Sequence, residues 1–312
     1  MDSAWAFLQE MIQLYVIGII GFTVRKTGIL NQATDHVLTQ LILYVTLPAL
    51  ILFSLAIPFS YALINEFLLL LGMSAYILLV AVCLARWMRR HSDLSARKGS
   101  VYEGLIIFGN QGYIGFAVIF AVFGEEGIVY LTLFNIIYFI LIWTYGIYLF
   151  TKDKKQVNWR RLVRNPGILA TLTGLLVLLL PVSWPGFIAS TLESVGKTTV
   201  PLSMILIGSL IAGITYRDIA FMVKDKYLWL AGAAKLLIIP LLLLPFSLFS
   251  VPFSLLLVAV LTAGMPSAPT MSLYAQKFAA DAHFASIGVM ISSMFSIITI
   301  PLLYAVVHVI YM

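Results

Sequence analysis

The chain has 312 residues, 62% of them hydrophobic and 10% charged, with a formal net charge of +6 and a mean hydropathy of +1.03. A soluble domain carries about 25% charged residues, so this composition excludes a soluble enzyme, a disordered chain and a nucleic-acid binder. What it leaves is an all-α polytopic membrane protein, with room for roughly ten spans at about 20 apolar residues each.

The first residues, Met-Asp-Ser-Ala-Trp, lack the basic region and small-residue cleavage site of a signal peptide. The first apolar run, residues 5–24, therefore reads as a retained span. Further runs cover residues 37–57, 66–86, 101–123, 128–150, 166–182, 197–215, 227–249, 252–279 and 283–310. They are too long and too uniformly apolar for barrel strands, which alternate over about ten residues. Backbone donors in lipid must be satisfied within their own segment, which makes each run a helix. Cys83 is the only cysteine and lies in the third run; one thiol makes neither an internal disulfide nor a metal cluster.

The basic residues fix an orientation. Arg25 and Lys26 follow span 1; Arg86, Arg89, Arg90, Arg97 and Lys98 follow span 3. Lys152, Lys154, Lys155, Arg160, Arg161 and Arg164 follow span 5; Arg217, Lys224 and Lys226 follow span 7; Lys277 follows span 9. Of the other two, Lys197 falls on the opposite side and Lys235 within span 8. The positive-inside rule makes the loaded side cytoplasmic and sends both termini outside. Trp87 and Trp159 stand beside basic loops, where an aromatic belt is expected.

Five spans per half is an odd number, so a duplicated half inserts upside down, the inverted-repeat plan of many secondary transporters. Thr46-Leu47-Pro48 in span 2 recurs as Thr199-Val200-Pro201 in span 7. At nearly the same offset Gly109-Asn110-Gln111-Gly112 falls on Thr262-Ala263-Gly264-Met265, and Phe123-Gly124-Glu125-Glu126 on Phe278-Ala279-Ala280-Asp281. This divides the chain into a first repeat (1–150), a basic cytoplasmic loop (151–165) and a second repeat (166–312).

Spans 4 and 9 are interrupted at matching places. Gly109, Gly112 and Gly115 punctuate the first; Gly264, Pro266 and Pro269 the second. Glycine costs about 1 kcal/mol in a helix interior and proline about 3, and the freed backbone groups are tolerated in lipid only where protein or a water-lined cavity surrounds them. Paired interruptions of this kind point to a transporter's binding site. Half-helix N-termini suit an anion; released carbonyls suit a cation or a donor. Asn110, Gln111, Gly112, Gly264, Pro266 and Ser267 are the candidate substrate-binding residues here, with the Thr270 hydroxyl nearby. The alternative is a pair of packing kinks whose small residues let helices approach.

The chain resembles the auxin efflux carrier family, which includes plant PIN-type carriers and bacterial malate-permease-like proteins. The likeness rests on Tyr44-Val45-Thr46-Leu47-Pro48-Ala49-Leu50, on Gly109 through Phe116 followed by Phe123-Gly124, and on Asn165-Pro166. It continues with Thr199-Val200-Pro201-Leu202, Ile207-Gly208-Ser209-Leu210, Lys235 through Pro240, and Pro266-Ser267-Ala268. The resemblance implies a ten-helix fold shared with bile-acid:sodium symporters: spans 1, 2, 6 and 7 as scaffold, spans 3–5 and 8–10 as a moving transport domain. It also implies broken spans 4 and 9 crossing at the midplane, elevator-type transport, and organic-anion substrates. A proline often marks both crossover helices in the family, but span 4 has none, so its glycines make either a full break or a softer bend. The long central loop of the plant members is absent, which favours the short bacterial type.

Lys235 lies about 13 Å into span 8 at 1.5 Å per residue, where a charge costs about 2.5–3.5 kcal/mol. It reads either as a fixed positive charge that attracts an anion or replaces a bound cation, or as a cap on carbonyls of a neighbouring broken helix. The thirteen acidic residues fall in loops or toward span ends, with Glu10, Glu66 and Glu103 nearest the interior; a dedicated proton-relay carboxylate is disfavoured unless Glu103 or Glu10 reaches inward. Asn135, Ser292, Ser293 and Ser296 either bond between helices or line the cavity beside the crossover, and Asn135 joins the candidate substrate-binding set.

An intramembrane enzyme needs a nucleophile with a base inside the membrane. His36, His91, His283 and His308 sit in loops or near span ends, and Ser286 follows His283 without an oxyanion motif. A channel would show rings of charge or a filter, and neither is evident. The function expected is a secondary carrier, in the plasma or inner membrane, of a small mono- or dicarboxylate such as malate. A sodium-coupled symporter is the nearest rival. The expected partners are that anion, the bilayer and, through the scaffold helices, a second copy of the chain. No nucleic acid, metal or cofactor is expected, and Na+ or H+ coupling stays open.

Overall fold

The computed structural model describes residues 2–56, 61–151, 166–180, 184–213, 221 and 224–312. Among them every regular element is helical. In chain order these are α1 (Asp2–Lys26), α2 (Gln32–Leu41), α3 (Leu47–Ser54), α4 (Tyr61–Arg90), α5 (Ala96–Ile107) and α6 (Phe116–Thr151). They continue with α7 (Pro166–Leu179), α8 (Gly186–Lys197), α9 (Thr199–Ala212), α10 (Lys226–Ala233), α11 (Ile239–Leu241), α12 (Phe253–Ala263), α13 (Thr270–Lys277) and α14 (Ala282–Ile310). α6 is interrupted at Gly124, whose φ of 59° and ψ of −140° turn the chain between two helical arms.

Polar residues between the apolar runs start the helices. The Asn31 carboxamide accepts from the Ala33 and Thr34 N–H groups, and Thr34 returns a bond to the Asn31 backbone, a capping box. Asp225 caps α10 by accepting from Tyr227 N–H at 3.0 Å, and Asp281 caps α14 by accepting from Phe284 N–H at 2.9 Å. These caps lengthen the helices beyond the apolar runs. Span 7, expected from Lys197, begins at Gly186 and passes through Thr198 with helical dihedrals. Glu193 and Lys197 are therefore on a helix, paired one turn apart at 2.5 Å.

Two prolines widen the turn before them. Pro48 and Pro240 each supply no N–H, and the preceding residues Ile42–Thr46 and Ala234–Ile238 form π-turns. In these turns Leu47 N–H reaches back to Ile42 O and Ile239 N–H to Ala234 O.

Among the described residues six helical stretches are long and apolar enough to cross a bilayer: Gln32–Ser54, Ile64–Arg90, Phe116–Thr151, Gly186–Ala212, Lys226–Phe249 and Ala282–Ile310. These match expected spans 2, 3, 5, 7, 8 and 10. Span 1 corresponds to α1, spans 4 and 9 are divided by their breaks, and span 6 is the short α7. The basic loop expected at 151–165, with Trp159, lies beyond Thr151 outside the described residues, as do Asn165, Arg217 and the side chain of Glu10.

The chain forms two compact units, and each draws on both halves of the sequence. Unit 1 comprises Met1–Leu70, Gly112–Ile136 and Trp159–Gly213; unit 2 comprises Leu71–Gln111, Ile137–Asn158 and Ile214–Met312. The family resemblance implied spans 4 and 5 wholly in one domain, yet Gly112–Ile136 groups with α1, α2, α3 and α7–α9.

In unit 1 the core contact is α1 on α9. A Cβ on Gly208 would stand 1.8 Å from Gly18 O, and one on Gly21 would stand 2.2 Å from Ile205 O. Only glycine allows these backbones to lie so close. At the end of this pair Asp35, from α2, accepts from Arg25 Nη1 at 2.9 Å and from Ser209 Oγ at 2.5 Å. In unit 2, α5 is buried from Gly99 to Ile107 and α12 from Leu255 to Ala263. A helix covered on all sides is the centre of its unit, and both of these central helices end at a break.

Candidate functional site

α5 ends at Ile107, and Phe108 takes extended dihedrals (φ −95°, ψ 116°). Helical geometry resumes only with the π-turn Gln111–Gly115. The break in span 4 is thus complete without proline, and it falls at residues 108–110. α12 ends at Ala263, Gly264 closes it, and α13 starts after Pro269 at its N-cap. Pro266 lies inside this second gap.

The two gaps pair with each other. Asn110 N–H donates to Pro266 O at 2.5 Å, and Ala268 N–H donates to Phe108 O at 2.9 Å. Gly109 and Ser267 face each other as an isolated antiparallel bridge. Backbone groups stripped from two helices therefore satisfy one another, as burial requires.

Side chains from neighbouring elements lock the bridge. Ser267 Oγ donates to Leu105 O at 2.7 Å. Ser267 N–H donates to Ser292 Oγ at 3.0 Å, and Ser292 Oγ donates on to Gly288 O at 2.9 Å. Tyr138 OH donates to Gly109 O at 2.6 Å. Lys235, only 2% exposed, donates from Nζ to Ala263 O at 3.0 Å and so caps the end of α12. This contact is one of the two roles weighed for it, the cap on a neighbouring broken helix. The wide turn Ala234–Ile238 carries Lys235, and Gly109 makes room for it: a Cβ there would stand 3.0 Å from Nζ.

The helix-end amides are not all free for a guest. The N–H groups of Asn110, Ser267 and Ala268 already have protein acceptors. What the bridge leaves is side-chain chemistry. Lys235 has three donor protons and, among the described residues, no carboxylate partner. Gln111 Oε1 and Thr262 Oγ1 are buried without a hydrogen-bond partner. Asn110 is 5% exposed and Gln111 2%.

Asn110, Gln111, Gly264, Pro266, Ser267 and Lys235 all belong to unit 2, where Asn110 bonds to Pro266 and Gly109 meets both Ser267 and Lys235. Gly112, Gly115 and Asn135 belong to unit 1. Gly112 and Gly115 lie inside the helical turn Gln111–Gly115 and not at the break. Asn135 is fully buried there, and both its Oδ1 and its Nδ2 are without a partner. Ser293 and Ser296 bond to carbonyls of their own helix, at Val289 and Ser293. Thr270 opens α13.

Sequence reasoning did not single out Tyr138, and it left Asp35 among the acids in loops or toward span ends. The Asn31 and Thr34 pair was the available signal for Asp35, because a capping box starts the helix early enough to place it in the first turn. Glu103 is buried, 2% exposed, and is bound by Arg89 Nη1 at 2.8 Å and by Tyr145 OH, paired with arginines at the end of α4.

The model of a family described as membrane transport protein matches residues 6–158 and 152–304. The chain is 25% identical over 312 residues to an uncharacterized transporter of Methanothermobacter thermautotrophicus, covering 94% of this chain and 96% of that one. It is 23% identical over 210 residues to an uncharacterized transporter of Methanocaldococcus jannaschii, covering 64% and 68%.

Proposed function

Because the chain belongs to the membrane transport protein family, that of the auxin efflux carriers, we propose that it is a secondary carrier of a small organic anion, a mono- or dicarboxylate such as malate. The observation that carries the choice of an anion is Lys235. An ammonium group buried beside a broken-helix crossing, with no carboxylate partner among the described residues, is costly in an empty site. A carboxylate guest supplies the missing charge, and Gln111 and Asn110 offer amides to orient it.

The wider reading follows from the same plan. Ten spans form two inverted five-helix repeats, supported by the matching breaks and by the alternation of basic loops. A transport domain carries the substrate past a scaffold in an elevator cycle. The carrier resides in the plasma or inner membrane with both termini on the extracytoplasmic side, and pairs through scaffold helices with a second copy. The buried oxygens Gln111 Oε1 and Thr262 Oγ1 favour one second reading, sodium-coupled symport, since hard cations take oxygen ligands.

The test is flux in proteoliposomes. Purified protein is screened for stabilisation by mono- and dicarboxylates, and the best of them is followed as saturable counterflow. Lys235→Gln is expected to lose that flux while remaining folded. Wild-type uptake and affinity in a folded Lys235→Gln protein would remove the anion reading. Replacing sodium by choline decides the coupling: unchanged flux rejects symport.

A further inference from the structure

Unit 2 holds a cavity of about 440 Å³ away from the crossover, lined by Arg86, Arg89, Arg90, Glu103, Tyr145 and Tyr148 with Leu149. Arg89 and Arg90 lie in the last turn of α4 and Arg86 one turn before them, so that Arg86 neighbours each of the other two at a spacing of three or four residues. Opposite them Glu103 projects from α5, and the tyrosines from the end of α6.

This is an ordered cluster. Glu103 accepts from Arg89 Nη1 at 2.8 Å and lies 3.6 Å from Arg86 Nε. Arg86 Nε also donates to Tyr145 OH at 2.8 Å, and its guanidinium stacks 4.9 Å from the Tyr145 ring centre. The buried carboxylate thus holds two guanidinium forks in place and neutralises one of them. Arg90 forms no ion pair among the described residues. Among the described lining residues three cations against one anion leave two positive charges in excess, and the Arg86 side chain stays half-exposed.

We infer that this cavity is a second anion site, separate from the crossover, that binds a phosphate group. Preset planar guanidinium forks match the tetrahedral oxygens of a phosphate. The site lies at the end of a span on the side that carries most of the basic residues, and basic pockets at such a depth take acidic lipid headgroups. A tyrosine pair and Leu149 at its wall suit the boundary between headgroup and acyl chain. The phosphate comes either from an acidic phospholipid or from solution; the chemistry of the site is the same.

The test uses the full chain in phosphatidylcholine nanodiscs, with phosphatidylglycerol added and bound lipid counted by native mass spectrometry. Wild type is expected to retain phosphatidylglycerol over phosphatidylcholine. Arg90→Gln is expected to weaken that retention about fivefold, the effect of removing one surface cation, and Arg86→Gln at least as much. Arg90→Gln breaks no ion pair among the described residues, so it carries the test if Arg86→Gln fails to fold. In a parallel arm inorganic phosphate is titrated. Displacement of the lipid by phosphate assigns the site to a soluble phosphate, and retention despite phosphate assigns it to the headgroup; both support the site. Retention unchanged in both variants, or equal retention of phosphatidylcholine, overturns it and leaves an ordinary solvated basic helix end.

Discussion

Gly109 and Lys235 share one pocket of space: a Cβ on the glycine would lie 3.0 Å from the lysine Nζ, 3.1 Å from its Cε and 3.2 Å from Met265 O. The lysine tip can yield, but the carbonyl belongs to the second break. Gly109→Ala is therefore expected to cost about 1–3 kcal/mol through overpacking and to lower the unfolding temperature in detergent. Because the two residues touch, the cost in a Gly109→Ala/Lys235→Ala double variant should fall well below the sum of the singles. Additive losses would show that the glycine answers to the backbone alone.

Ser267 ties the bridge to two helices at once, through its hydroxyl to Leu105 O and its N–H to Ser292. Ser267→Ala leaves a buried carbonyl without its donor, and Ser292→Ala leaves a buried N–H without its acceptor. Each is expected to cost about 1–3 kcal/mol, read as a drop in thermal stability. The two together should be less than additive if the crossing opens as one piece. A stability unchanged in both variants would mean that the bridge does not depend on its side-chain locks.

Much of the crossover was legible from residue type. Pro266 and the glycines at 109 and 264 break helices for reasons that need no neighbour, and the breaks are found near them. Which glycine breaks span 4 was not legible. Gly112 and Gly115 have the same propensity as Gly109, and only the antiparallel pairing with Pro266 and Ala268 selects residues 108–110. The apparent freedom of the helix-end amides misled for the same reason, since the acceptors of Asn110 and Ala268 lie more than 150 residues away in the chain and that of Ser267 is a side chain of another helix. Helix ends were read too short wherever charge lowered the hydropathy, as at Glu193 and Lys197, although opposite charges one turn apart support a helix. The division into units was hidden as well: it cuts α4 and α6 in mid-helix, where nothing local changes.

Gly208 offers a sharper stability test than any residue of the crossover. The clash a methyl group would make is with the backbone of Gly18, so no rotamer relieves it. Gly208→Ala is expected to destabilise by about 1–3 kcal/mol or more. Gly232, inside α10, has open space around the same position, so Gly232→Ala should be neutral or stabilise by up to about 1 kcal/mol. Equal unfolding temperatures for the two variants would contradict the close approach of α1 and α9.

Asp35 is 6% exposed and holds both Arg25 and Ser209. Removing one member of a buried pair strands the other, at about 3–5 kcal/mol. Asp35→Ala should therefore unfold at a clearly lower temperature than wild type. Replacing the pair together, as Asp35→Leu with Arg25→Met, should recover most of that loss, because neither charge is then left alone. A double variant as unstable as Asp35→Ala would instead make the Ser209 bond the dominant one.

Asn135 separates stability from function. Neither end of its carboxamide has a partner, although the residue is fully buried, and such a group costs about 1–3 kcal/mol relative to a satisfied one. Asn135→Leu, close in size and without the stranded dipole, is expected to raise the unfolding temperature. If the carboxamide is kept for a polar guest, the same variant should lose carboxylate flux in proteoliposomes while gaining stability, the trade expected of a binding residue. A variant that is more stable and transports normally would reduce Asn135 to an unfavourable packing residue. A less stable one would mean that the carboxamide bonds within the membrane after all.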